Sequence, residues 1–150
     1  MLATHQQPLN QKFIIKYHQS MSQVASYDIP CGNYLQMKLP PFSVLLCVYE
    51  EDSPDHLRQA LESVINQTVP PDEIVIVEDG PLTGSLRAII SRFQREYEEL
   101  TRISLSVNQG LGAALEIGVR TCTYDLVARM DSDDISVHDR FEQQLNHILS

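Results

Sequence analysis

The polar and apolar positions of this chain switch repeatedly between two periods from residue 42 onward. Phe42-Ser43-Val44-Leu45-Leu46-Cys47-Val48 is a near-continuous apolar run, the pattern of a strand buried on both faces. Tyr49-Glu50-Glu51-Asp52 follows as a polar loop. Ser53 then stands as an N-cap, with Pro54 at the first helical position and Asp55 behind it. Leu57, Ala60, Leu61, Val64 and Ile65 recur at helical spacing and predict an amphipathic helix, ended by the segment Gln67 to Pro71. Glu73 to Val77 predicts a second buried strand, closing in Glu78-Asp79-Gly80-Pro81. Leu86, Ile89, Ile90, Phe93, Tyr97 and Leu100 share one face of a second helix. Ile103 to Val107 predicts a third strand, and Asn108-Gln109-Gly110 turns the chain into a third helix with Leu111, Ala114, Leu115, Val119 and Cys122 on its buried side. Tyr124 to Met130 predicts a fourth strand. Ser136 is expected to cap a last helix bearing Phe141, Leu145 and Ile148.

Strands alternating with helices imply an α/β fold, a mostly parallel, Rossmann-like sheet flanked by helices. Ligands of such sheets bind beyond the carboxyl ends of the strands. The polar groups of interest all fall there: Tyr49 and Glu50, then Glu78 and Asp79, then Asn108, then Asp131-Ser132-Asp133-Asp134. Three carboxylates within four positions repel one another unless a cation joins them. Their hard oxygens suit Mg²⁺ or Mn²⁺, with substrate phosphate completing the shell. A solvated acidic turn capping the next helix is the plainer account of the same residues. Asp79 offers hydrogen-bond acceptors to a base or ribose, and Asp-Gly is also ordinary turn chemistry. Asn108-Gln109-Gly110-Leu111-Gly112 looks like a phosphate-cradling loop, but a cap and a turn explain most of it. Tyr49 can stack on a planar base or roof the core. Arg129 falls on the side of its strand opposite Met130 and needs a partner there; a nearby carboxylate is the expected one, an anionic ligand the alternative.

Residues 1–41 differ in character. They are rich in Gln, Ser, Asn and His and close on Pro40-Pro41. Phe13, Tyr17, Met21 and Val24 fall on one helical face, so this leader is either a short amphipathic helix or loosely ordered. A length of 150 residues is that of one domain. With 20 acids against 11 bases, the net charge of −9 disfavours nucleic acid as a partner. It leaves room for a phosphate ligand that brings a divalent cation. Cys31, Cys47 and Cys122 show neither metal-ligand spacing nor a disulfide framework, which fits a reducing, cytoplasmic compartment. No signal peptide and no apolar run near the ~20 residues of a membrane span are visible.

Phe42 to Glu50, Gln67-Thr68, Asp72 to Gly80, Asn108-Gln109-Gly110 and Met130-Asp131-Ser132-Asp133-Asp134 together resemble the amino-terminal half of a family 2 glycosyltransferase of the GT-A fold. Val77 to Thr83 with Ala128-Arg129-Met130-Asp131 is similar to the bacterial branch that builds exopolysaccharide and O-antigen chains. The resemblance covers roughly residues 42–149, with residues 42–150 as the nucleotide-sugar-binding part. It implies that Cys47, Tyr49 and the neighbouring Glu50 lie at the nucleotide pocket, that Asp79 meets uracil or another base, and that Asp131 and Asp133 form the D-x-D motif. There Asp131 approaches ribose and metal, Asp133 ligates the divalent ion on the donor diphosphate, and Asp134 supports them. The implied donor is a UDP- or dTDP-sugar and the implied acceptor a glycan or lipid-linked glycan. The implied transfer is inverting, in the cytoplasm or peripherally at the inner face of the membrane. Departures from the family pattern are Cys47-Val48 before the loop tyrosine, Glu50 after it, and Leu115-Glu116 in the third helix. The family's general base lies well downstream of D-x-D and has no counterpart up to Ser150, so these residues read as a donor-binding half expected to transfer no sugar alone. The competing reading is a non-catalytic nucleotide- or metal-binding module that partners a full-length transferase. A nucleotidyltransferase would need a Gly-rich loop with Arg after the first strand. A phosphoacceptor receiver domain would need an Asp where Asn108 stands.

Overall fold

The two apolar runs lie side by side at the centre of one sheet. The structure is a computed structural model that describes residues 13–15 and 39–149. In chain order its elements are β1 (Phe13–Ile15), β2 (Phe42–Val48), α1 (Pro54–Ile65), β3 (Glu73–Glu78), α2 (Gly84–Glu96), β4 (Leu100–Ser104), α3 (Leu111–Thr121), β5 (Leu126–Asp131) and α4 (Arg140–Leu149). The strand order is β1-β5-β2-β3-β4. Strands β2 to β5 run parallel, and β1 pairs antiparallel with β5. The chain therefore steps outward from β2 through β3 to β4, then returns to the other side of β2 with β5. This reversal of direction beside β2 opens a crevice at the carboxyl ends of the strands.

Strand alternation divides the core between two faces. Val44, Leu46, Val48, Ile74, Ile76 and Met130 are buried with side chains of α1, α2 and α4, where Phe42 meets Phe141 edge-on at 5.0 Å between ring centroids. Leu45, Val75, Val77 and Val127 face α3 with Ala114. Each fully buried Leu, Ile, Val or Phe contributes about 1.5–3 kcal/mol, and the polar residues that β2 and β3 do carry, Ser43, Glu73 and Glu78, are hydrogen-bonded. Helix α3 lies close on the sheet because Gly118 has no side chain; a Cβ there would collide with Leu45. As expected, Ser53 caps α1 and Pro54 opens it.

Several local expectations are corrected. Phe13–Ile15 is a strand and not the start of a helix, because β5 offers it a free edge; Tyr17, Met21 and Val24 lie outside the described residues. Leu100 does not extend the face of α2. It begins β4, where it pairs with Ile74, and β4 ends at Ser104, before Val107. Ser136 does not cap α4, which starts at Arg140; its hydroxyl accepts from Arg140 Nη1 at 2.9 Å instead. Leu111 is not buried with α3 but 51% exposed.

Candidate functional site

Four segments meet at the crevice, and each is held there by backbone hydrogen bonding. After β2 the chain closes a tight turn: Asp52 N donates to Tyr49 O at 3.1 Å, and Tyr49 N donates to the Asp52 carboxylate at 3.0 Å. The turn leaves the Tyr49 side chain 40% exposed. After β3, Asp79 N donates to Val48 O at 2.7 Å, and the buried Asp79 carboxylate accepts from Gln109 N at 2.7 Å. That second bond draws the loop between β4 and α3 over the end of β3. Gly80 makes the approach possible. Its φ is +92°, and a Cβ would lie 2.7 Å from Asn108 N, so only glycine suits both its conformation and the space. Beside it, Glu78 is buried, paired with Arg102 at 2.5 Å and accepting from Ser104 Oγ at 2.7 Å. These two contacts brace the ends of β3 and β4.

After β5 comes the acidic turn. Residues two apart on a strand share a face, so Arg129 and Asp131 point the same way, opposite Met130. Arg129 Nη2 and Nε both donate to Asp131 Oδ1, at 2.6 and 3.1 Å. The register places Asp131 beside Cys47 and Cys47 beside Val77. From behind, the buried Arg140 donates to Arg129 O at 3.0 Å and to Met130 Sδ. Burial pulls its guanidinium down to about 10, against the opposing fields of Asp134 and Asp131. Gln67 ties the segment after the turn to α1, donating to Val137 O at 2.7 Å and accepting from Phe141 N at 3.2 Å.

The segments enclose a cleft of about 540 Å³, lined by Cys47, Tyr49 and Asp52 from the end of β2 and Asp79 from β3. Asn108, Gly110 and Leu111 line it from the α3 side, and Arg129, Asp131, Ser132 and Asp133 from β5. Burial first, then the charge of Asp79, pushes the Cys47 thiol up to about 12. Burial also raises Asp52; the Tyr49 N–H and the Ser132 side chain oppose it, while Asp133 adds to it.

Of the residues singled out in the sequence, Cys47, Tyr49, Asp79, Asp131 and Asp133 come together on this cleft. Glu50 is exposed outside the lining. Asp134 also lies outside it, half-buried, with its N–H donating to Asp131 O at 3.3 Å and its charge acting on Arg140. Asp52 was missed. Its position three residues after Tyr49, suited to capping a turn with its side chain, was the available signal. Among the described residues, no three His, Cys, Asp or Glu side chains converge as a metal-ligand set. Asp131 and Asp133 supply hard carboxylate oxygens on one cleft, which fits a Mg²⁺ or Mn²⁺ ion shared with substrate phosphates and not a cage made of protein alone. No described helix is long and apolar enough to cross a membrane.

The sequence profile described as "Glycosyl transferase family 2" matches residues 43–150. An Escherichia coli UDP-Gal:alpha-D-GlcNAc-diphosphoundecaprenol beta-1,3-galactosyltransferase is 47% identical over 119 residues, covering 74% of this chain and 43% of that protein. The amylovoran biosynthesis glycosyltransferase AmsE of Erwinia amylovora is 45% identical over 109 residues, 73% of this chain and 41% of that protein. The chain thus spans about two fifths of the length of these relatives. Among solved structures, Staphylococcus aureus TarS 1–349 in complex with UDP superposes with a TM-score of 0.63 at 23% identity, over 72% of this chain and 32% of that one. The mannosyltransferase PcManGT of Pyrobaculum calidifontis, in complex with GDP-Man and Mn²⁺, gives 0.58 at 21% identity, over 66% and 29%. The structural likeness gives the fold, that of the GT-A transferases.

Proposed function

Since the chain belongs to glycosyl transferase family 2, we propose that residues 42–149 bind the donor of a transferase that adds a sugar to a surface or capsular glycan. The donor is a UDP- or dTDP-sugar. The observation that carries this reading is the convergence of Asp79, Asp131 and Asp133, from two strands flanking β2, on one cleft beside the reversal of strand order. The relative named for UDP-Gal and the neighbour bound to UDP support a uridine donor. The neighbour bound to Mn²⁺ supports a divalent ion.

Each residue then has a chemical task. Asp79 accepts a hydrogen bond from the base, Tyr49 covers the base face, and Cys47 flanks it as a neutral thiol. Asp131 approaches the ribose, and with Asp133 it would hold Mg²⁺ or Mn²⁺. That ion, when bound, neutralises the diphosphate and stabilises it as a leaving group. In the transfer, an acceptor hydroxyl oxygen bonds to the sugar C1 as the bond from C1 to the β-phosphate oxygen breaks. The bonding pair leaves on the diphosphate, the hydroxyl proton passes to a carboxylate base, and the configuration at C1 inverts. The base is assigned to no described residue. A lipid-linked acceptor would put the reaction at the cytoplasmic face of the membrane.

Calorimetric titration of UDP and dTDP in the presence of Mn²⁺ tests the reading. Saturable binding is expected, abolished by Asp79→Ala and dependent on Mn²⁺ in the parent chain only, not in Asp133→Ala. A folded sample that binds neither nucleotide at millimolar concentration overturns it. Binding that ignores both Mn²⁺ and Asp133→Ala indicates a nucleotide module without a metal site.

A further inference from the structure

The charges on the cleft are unequal. Four carboxylates, Asp52, Asp79, Asp131 and Asp133, line it, and among the described residues Arg129 is the one cationic side chain that does. A diphosphate entering this cleft meets a field of its own sign. One divalent ion offsets part of that repulsion, and among the described residues Arg129 is the one cleft side chain whose positive charge can offset more.

The geometry of Arg129 suits that task. Its Nε and Nη2 converge on a single oxygen, Asp131 Oδ1, so the pair lacks the two parallel bonds of a fork-to-fork guanidinium–carboxylate contact. Its Nη1 has no hydrogen-bond partner among the described residues. Both side chains of the pair are well exposed, 38% for Arg129 and 42% for Asp131, so solvent screens their attraction. The backbone beneath is fixed, because Arg140 holds the Arg129 carbonyl and β5 is hydrogen-bonded to β2. A movable guanidinium thus sits on a rigid stem at the rim of an anion site. Asp131 is also the residue that a divalent ion would claim. An ion there would weaken the hold of Asp131 on the guanidinium while raising the positive charge beside the diphosphate.

We propose that Arg129 is a diphosphate-binding residue, parked on Asp131 in the ligand-free protein and transferred to the donor phosphates on binding. This rests on the donor-site reading above. It adds a second positive charge to the leaving group's environment, through a fork that matches phosphate oxygens.

The test is a comparison of ligands that differ only in phosphate. UDP and uridine are titrated, with Mn²⁺ present, into the protein and its Arg129→Met and Arg129→Lys variants, with circular dichroism confirming the fold. The expected result is a loss of UDP affinity in Arg129→Met of about tenfold to a hundredfold, the range for losing a charge-assisted contact. Uridine affinity should be unchanged, and Arg129→Lys, which keeps the charge without the fork, should fall between. If Arg129 serves only as a partner of Asp131, its removal frees a carboxylate for the metal. UDP binding in Arg129→Met would then be unchanged or tighter, which overturns the proposal. Equal losses for uridine and UDP would also overturn it, since they signify a general distortion of the cleft. Failure of the parent protein to bind UDP with Mn²⁺ would instead overturn the donor-site reading itself.

Discussion

Two residues at the cleft owe their identities to different constraints, and each constraint can be measured. Gly80 is fixed by backbone: a φ of +92° and a Cβ position 2.7 Å from Asn108 N leave no space that a side-chain movement could create. Gly80→Ala should cost about 1–3 kcal/mol of stability, the usual scale for forced backbone strain. Gly84→Ala is its control, since a Cβ there meets nothing within 4 Å, and it should be neutral or stabilise by up to about 1 kcal/mol. Equal effects in urea denaturation would refute the steric account. Cys47 is fixed by environment. With its thiol pushed from 9.0 to about 12, the thiolate fraction near neutral pH is lower by about a thousandfold than in an unfolded chain. Iodoacetamide labelling followed by peptide mass analysis should find Cys47 slow in the native protein and fast in urea. The same shift sets a stability slope. Between pH 9 and about 12 the unfolded chain has lost a proton that the folded one keeps, so stability falls as pH rises through that window. Cys47→Ala should flatten the fall.

At the scale of elements, the segment between β5 and α4 depends on one side chain of α1's end. Gln67 is 6% exposed, donates to Ser63 O and Val137 O, and accepts from Phe141 N. Gln67→Leu keeps the bulk but leaves Phe141 N without its acceptor, while Val137 O keeps the bond from Arg140 N at 3.1 Å, so a loss of about 1–3 kcal/mol is expected. An unchanged denaturation midpoint would show that water replaces the amide. Gln67 also illustrates what a sequence can and cannot disclose. The resemblance singled it out, but two of its three partners, Val137 O and Phe141 N, lie about 70 positions away, and nothing in local pattern names them. Strands β2 and β3 were legible because burial on both faces forces an unbroken apolar run. The edge strand β4 was legible as a strand but not in its bounds, Ile103 to Val107 in place of Leu100–Ser104, because it is half exposed and Leu100 happens to continue the helical spacing of Phe93 and Tyr97. Asp79, Asp131 and Asp133 were legible as acids at or just past strand ends. Asp52 escaped notice because its place on the cleft follows from a turn folding back on Tyr49, a relation that exists only once the loop is closed. Glu50 and Asp134 lie next in sequence to lining residues or to one of their neighbours, yet face elsewhere. Alternation fixes orientation within a strand and loses its hold in the turn beyond it.

The whole molecule carries a net charge of −9, and the four cleft carboxylates concentrate part of it where the sheet has no hydrophobic compensation. The folded state therefore holds a local repulsion that the unfolded chain can relax by extending. A ligand that brings positive charge to this cleft relieves it only in the folded state, so binding and stability are linked. With Mn²⁺ present and UDP at about a hundred times its dissociation constant, the folded state should gain about 2.7 kcal/mol. For a chain of this size that corresponds to a rise in melting temperature of about 5–11 °C. Mn²⁺ alone should give a smaller rise, since two carboxylates without phosphate leave most of its shell to water; chelation with EDTA should abolish that rise and reduce the rise with UDP to that of UDP alone. Asp133→Ala has a distinct signature. It removes one of the repelling charges, so the apo protein should melt no lower than the parent, while the rise produced by Mn²⁺ with UDP should shrink toward that of UDP alone. Differential scanning fluorimetry across these conditions separates the two effects. A rise of equal size in Asp133→Ala would mean that the ion stabilises the protein from some other surface.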